Sequence, residues 1–148
     1  MQNYSIKENK LFILLTIHSI LGWVIVIFSV LAIYFLSREL SSSEPGSKKT
    51  RIMAISFAHF MTMQVFLGLA FLYQWYEMFG SFNRQQWEHA GIMVVAAVVA
   101  NIPQLRKNLS PAAYKKTALY STIAALVLVV AGVASLGLIR WLHVHGIF

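Results

Sequence analysis

Residues 11–36 read LFILLTIHSILGWVIVIFSVLAIYFL, 26 positions without one charged side chain. Crossing the roughly 30 Å hydrocarbon core of a bilayer takes about 20 apolar residues at about 1.5 Å per residue, so this stretch is long enough to span a membrane as a helix. It far exceeds the roughly 7–15 residue apolar run of a secretory signal, and no A-x-A-like cleavage site follows it, so a retained helix is predicted. Three further stretches have the same character, giving four predicted helices at Leu11–Leu36, Ile52–Tyr73, Trp87–Leu105 and Thr117–Ile139. Only short connectors join them, which predicts an all-α, up-down-up-down bundle of four transmembrane helices forming a single membrane domain over residues 1–148.

Composition agrees, since 58% hydrophobic and 11% charged residues cannot cover an ordinary soluble surface. The chain contains no cysteine, which excludes disulfides, cysteine-ligated iron–sulfur clusters, c-type haem attachment and a lipidated cysteine. It contains no aspartate, no G-x-S-x-G elbow and no phosphate loop, so hydrolase and NTPase chemistries have nothing to stand on. No inverted repeat or pair of broken helices suggests a transporter.

Eight of the twelve basic residues fall in two connectors: Arg38, Lys48, Lys49 and Arg51 in the first, and Arg106, Lys107, Lys115 and Lys116 in the third. Cytoplasmic loops near helix ends are enriched in Lys and Arg, so both termini are expected on the outer, periplasmic side of a bacterial cytoplasmic membrane. These charges flank helices and form no continuous stripe, which argues against nucleic-acid binding. Ser110 and Pro111 read as the N-cap and first position of the last helix. Trp75, Tyr76, Trp87 and Trp141 read as an outer aromatic belt, with Tyr34, Tyr114 and Tyr120 near the inner one.

Three histidines, His18, His59 and His89, lie in three different apolar runs. An imidazole in hydrocarbon is costly to desolvate, so each marks a ligand, a proton path or a polar partner. His18 lies about 10 Å below Leu11 and His89 about 3 Å below Trp87, both near the outer face. His59 enters from the inner side and sits roughly 18 Å from the outer face. His18 and His89 can therefore share a site, with His59 a level deeper. Paired imidazoles at one depth are what a six-coordinate b-type haem needs, with its iron between them. Gly22, four residues after His18, and Gly91, two after His89, would let a flat ring approach the backbone. Glycine and alanine also serve close helix packing in membranes, a use that Ala96 with Ala100, or Ala131 with Ser135, would fit.

Several residues in these runs resemble a known pattern. Glu88-His89 followed by Met93, Ala96 and Val98 is similar to the third helix of a group of small bacterial four-helix membrane proteins usually labelled cytochrome b. His18-Ser19 with Trp23 resembles their first helix, and Gln64-Val65-Phe66-Leu67-Gly68-Leu69 their second. The likeness covers about two thirds of the chain. It departs from the group at Gly22, where a basic residue tends to stand, and in the longer spacing from His59 to Gln64. The resemblance implies electron transfer through a membrane-bound haem b, with quinol or a membrane redox complex as partner.

Other readings stay open. His18, His59 and His89 each also fit an interhelical hydrogen bond, His59 a proton-handling role, and His143 and His145 a wet interfacial tail. Met61, Met63 and Met93 are either packing or soft copper ligands, and Glu88 is either solvated or a group orienting His89. Gln64 and Asn101 are expected to hydrogen-bond between helices. The functional alternatives to haem-based electron transfer, an activity of oxidoreductase type, are a cofactor-free accessory subunit of a larger respiratory complex and a copper-handling protein using His18, His89 and His143. Association into an oligomer is compatible with each of these.

Overall fold

A computed structural model describes residues 2–41, 48–106 and 108–137, with side chains from Lys7 onward. It contains four helices, α1 (Gln2–Leu40), α2 (Lys48–Phe79), α3 (Arg84–Leu105) and α4 (Pro111–Ser135), and no strand among the described residues. All four are long and apolar enough to cross a membrane. The first three apolar runs are shorter than the helices that contain them. The 39 residues of α1 make a rod of about 58 Å, so its ends extend past the hydrocarbon core.

The helix ends have local causes. Asn83 caps α3 in a reciprocal box: its side chain accepts from the Gln86 amide at 2.8 Å, and its own amide donates to Gln86 Oε1 at 2.9 Å. Ser110 caps α4 by accepting from the Ala113 amide at 3.3 Å, with Pro111 at the first helical position. The last helix stops earlier than its apolar run suggests. It ends at Ser135 instead of the expected Ile139 because Gly137 takes a left-handed φ of 75° and donates back to the Ala134 carbonyl at 3.0 Å. Residues 138–148, with Trp141, His143 and His145, lie outside the described residues.

Helix α1 packs against α2 and α4, and α3 packs against the same two neighbours. Thus α1 and α3 occupy one diagonal of the bundle, and α2 and α4 the other. The buried positions repeat at alternating spacings of three and four: Ile25, Ser29, Ala32 and Leu36 on α1; Ala54, Phe57, Met61 and Gln64 on α2; Met93, Ala96, Ala100 and Pro103 on α3; Ala118, Thr122, Ala125, Val129 and Gly132 on α4. That is the seam of a left-handed bundle, in which ridges of one helix fill grooves of the next. Small side chains dominate it, and Ala32, Ala58, Ala96, Ala118 and Ala125 are fully buried. Ala96 and Ala100 serve the close packing expected of them. Ala131 does not: it is exposed, and the packing face of α4 runs instead through Ala118, Ala125 and Gly132.

The bulky apolar residues point the other way. Phe12, Ile20, Trp23, Phe66, Val127 and many like them are exposed around the bundle. Helices apolar on all sides, with small residues inside and large ones outside, suit a hydrocarbon surrounding. The chain is a multi-pass membrane protein.

Half-buried polar side chains tie the helices together. Asn101 Nδ2 donates to Thr62 Oγ1 at 3.1 Å and Gln104 Nε2 to the Ala54 carbonyl at 3.1 Å, both joining α3 to α2. At the end bearing the α2–α3 turn, Tyr76, Phe82 and Trp87 form an aromatic cluster with centroid separations of 5.5 and 5.1 Å.

Candidate functional site

Extended toward the α2–α3 turn, the seam reaches one further layer, composed of His18, Gly68, His89 and Gly132. The histidines lie on one diagonal, α1 and α3, and the glycines on the other, α2 and α4. The two imidazole centroids are 6.3 Å apart with their planes at 73°. Each ring lies against a glycine. A Cβ built at Gly68 would sit 3.2 Å from His18 Cε1, and one at Gly132 would sit 3.6 Å from His89 Nδ1. The missing side chain at Gly68 gives the His18 ring its room, and at Gly132 the tight neighbours are Met93 Sδ and Ile92 Cγ2, with His89 at ordinary contact distance.

His89 is anchored. Its Nδ1 is 2.7 Å from the Gly132 carbonyl oxygen. A carbonyl only accepts, so Nδ1 carries the proton, and in the neutral ring Nε2 keeps its lone pair. A backbone carbonyl on Nδ1–H is the usual way a protein fixes the tautomer and orientation of a metal-ligating histidine. Glu88 has no part in this: it is exposed and pairs with Arg84 along the helix.

His18 is held by Gln64, which is 4% exposed and whose burial therefore demands partners. Gln64 Nε2 donates to the His18 carbonyl at 2.9 Å and lies 3.2 Å from His18 Nε2. The carbonyl contact fixes which end of the amide faces His18, so the same amide nitrogen donates to the imidazole lone pair. The ring proton is then on Nδ1. Neither His18 Nδ1 nor Gln64 Oε1 has a hydrogen-bond partner among the described residues, although both are buried. A buried polar atom left unpaired costs roughly 1–3 kcal/mol, and His18 and Gln64 contribute one each.

Beside the pair lies a cavity of about 110 Å³, bordered chiefly by Gln64, Gly68 and Leu72 of α2 and His89, Met93 and Val94 of α3. Two imidazoles bonded to opposite sides of one first-row metal at about 2 Å hold their ring centres roughly 6 Å apart, and the observed 6.3 Å meets that spacing. The separation of the rings is that of two imidazoles sharing one metal, while His18 Nε2 is engaged by the Gln64 amide. The volume is smaller than the roughly 300–1,000 Å³ of typical cofactor sites. As it stands the cavity does not accommodate a haem macrocycle.

No family model, curated protein or solved structure matches this chain. The site is therefore characterised by its geometry alone.

The other sequence candidates fall elsewhere. His59 is on the exposed face of α2, its Nδ1 donating to the Ile55 carbonyl at 2.8 Å within its own helix. Gly91 is exposed, and an added Cβ there meets nothing within 4 Å; at Gly22 the nearest atom is Gln64 Nε2 at 3.4 Å. The close-approach glycines are thus Gly68 and Gly132, with Gly22 accommodating the Gln64 amide. Met63 is exposed, Met61 is in the core, and Met93 borders both the cavity and Gly132. Among the described residues no three His, Cys, Asp or Glu side chains gather as a metal-binding group, and the copper set invoked for His143 reaches beyond them.

Proposed function

We propose that this protein is a membrane cytochrome of b type, holding one haem between His18 and His89 and passing electrons within a bacterial cytoplasmic membrane. One observation carries this reading: two imidazoles from diagonally opposed helices lie at one level with their ring centroids 6.3 Å apart. A haem would be held by the His18 and His89 imidazoles from one diagonal pair of helices. Glycines stand at the same level on the other pair, α2 and α4. The haem, when bound, supplies a one-electron Fe(III)/Fe(II) couple.

The chain's own residues have defined tasks in this reading. Gly132 O keeps the proton of His89 on Nδ1 and leaves Nε2 for the metal. His18 would hold the iron through Nε2, the atom that Gln64 Nε2 contacts, and Gln64 also bonds the His18 carbonyl. The apolar surroundings, Leu69, Leu72 and Val94 among them, exclude water and thereby bear on the redox potential. Quinol or a membrane redox complex remains the proposed electron partner.

The test is chemical analysis of the full chain purified in detergent from haem-replete cells. About one haem b per chain by pyridine haemochrome assay supports the reading, and a colourless, well-folded protein refutes it.

A second reading draws on His59. An exposed imidazole within an apolar span is costly toward lipid, and a partner chain covering that face of α2 would relieve the cost. This favours association with a further membrane subunit, and copurification of a second chain that His59→Leu abolishes would support it.

A further inference from the structure

The opposite end of the bundle, which carries the α1–α2 and α3–α4 connections, holds a second cavity, of about 450 Å³. Its wall includes Glu39 from α1, Arg51 from α2, Gln104 near the end of α3, Arg106 just beyond it, and Tyr114 and Lys115 from α4. Three cations face one carboxylate there, a surplus of positive charge drawn from three different parts of the chain. Lys115 is buried, and its Nζ donates to the Glu39 carbonyl at 3.1 Å. The Arg51 guanidinium lies over the Tyr114 ring, 5.9 Å from its centroid. The two ion pairs seen among the described residues, Lys7 with Glu77 and Arg84 with Glu88, involve neither Arg51 nor Arg106.

Two neutral groups complete the wall. Gln104 commits its Nε2 to the Ala54 carbonyl. Its Oε1 and the Tyr114 hydroxyl are buried and have no hydrogen-bond partner among the described residues. The cavity thus offers two guanidinium groups without carboxylate partners among the described residues, one hydroxyl donor and one amide acceptor. Its volume falls within the roughly 300–1,000 Å³ of small-ligand sites. It lies at the end where eight of the twelve basic residues cluster, the level at which basic pockets between membrane helices meet anionic headgroups.

We infer that this cavity is a binding site for a phosphate group, held by Arg51 and Arg106, with the Tyr114 hydroxyl donating to a phosphate oxygen and Gln104 Oε1 accepting from a hydroxyl beside it. Arginine forks match phosphate oxygens in pairs, which makes them better suited to this task than the single ammonium of Lys115. The phosphate belongs to an anionic phospholipid or to a soluble phosphate ester. The inference is independent of haem.

The experiment titrates the full chain in neutral detergent with short-chain phosphatidylglycerol and, separately, with inorganic phosphate, reading binding by thermophoresis. Saturable binding is expected, weakened roughly fivefold by each of Arg51→Gln and Arg106→Gln, at about 1 kcal/mol per cation. Tyr114→Phe also weakens it, whereas Arg84→Gln at the other end leaves it unchanged. Binding of the lipid alone identifies a headgroup site. Binding of inorganic phosphate with the same residue dependence, displacing the lipid, identifies a soluble ligand. The inference is overturned if neither probe saturates, or if the double variant Arg51→Gln/Arg106→Gln binds as well as the parent while keeping its helicity and elution volume.

Discussion

The imidazole of His89 on α3 is fastened to the backbone of α4 by a 2.7 Å hydrogen bond from Nδ1 to the Gly132 carbonyl. The bond exists because residue 132 has no side chain, so that α3 approaches α4 closely enough to bring His89, Ile92 and Met93 onto its backbone. An alanine there would set its methyl 3.1 Å from Met93 Sδ and 3.3 Å from Ile92 Cγ2. Overpacking of this kind costs about 1–3 kcal/mol, against about 1 kcal/mol of helix propensity gained by replacing glycine. Gly132→Ala is expected to lower the thermal midpoint in detergent, and Gly91→Ala, whose methyl meets nothing within 4 Å, to leave it unchanged or raise it. Equal midpoints for the two variants would contradict the packing described for α3 and α4.

Gly68 bears on His18 in the same way. A methyl at 68 would lie 3.2 Å from His18 Cε1, so Gly68→Ala crowds the imidazole and shifts it. Haem content per chain is expected to fall severalfold in this variant while helicity by circular dichroism is retained. Full haem content would show that the seat of His18 does not matter to the cofactor.

Gln64 links α1 to α2 through the His18 carbonyl. Interhelical hydrogen bonds in membrane bundles are worth on average about 0.6 kcal/mol, rising to about 1.7 kcal/mol. Gln64→Leu also removes the unpaired Oε1, which offsets part of that loss. The expected result is a change in stability below about 1.5 kcal/mol with haem content preserved, since in the proposed site iron at His18 Nε2 would take the place of the amide. Loss of haem in a folded Gln64→Leu protein would instead make Gln64 part of the binding site proper.

His59 bonds the Ile55 carbonyl within its own helix and faces outward. His59→Leu removes a polar ring from an apolar surface and is expected to leave fold and visible spectrum unchanged. A spectrum abolished by His59→Leu would mean that the iron is ligated at the surface of α2, with a second chain supplying the other ligand.

The four helices were legible because membrane-length apolar runs are decided by length and composition alone. Their ends were less so. Asn83 with Gln86 and Gly137 act through local hydrogen bonds and backbone conformation, which hydropathy does not register. Depth arithmetic brought His18 and His89 to one level, and the structure sets their rings side by side. The same arithmetic has no angular information, so His59 could not be assigned to the exposed face. The glycines illustrate the missing step. Gly22 and Gly91 were singled out for nearness in sequence to the histidines, whereas close approach is made by Gly68 and Gly132 on neighbouring helices. The alternating three-and-four seam carried that information: seven residues back from Ile25 is His18, four on from Gln64 is Gly68, four back from Met93 is His89, and seven on from Ala125 is Gly132.

The most direct test of the central proposal is the dithionite-reduced minus oxidised absorption spectrum of the purified protein beside His18→Ala, His89→Ala and His59→Ala. The expected result is a Soret band with sharp reduced α and β bands in the parent and in His59→Ala, lost or strongly altered in both His18→Ala and His89→Ala. A parent spectrum without these bands, from haem-replete cells, or bands that survive removal of both His18 and His89, would contradict the assignment of this diagonal pair as haem ligands.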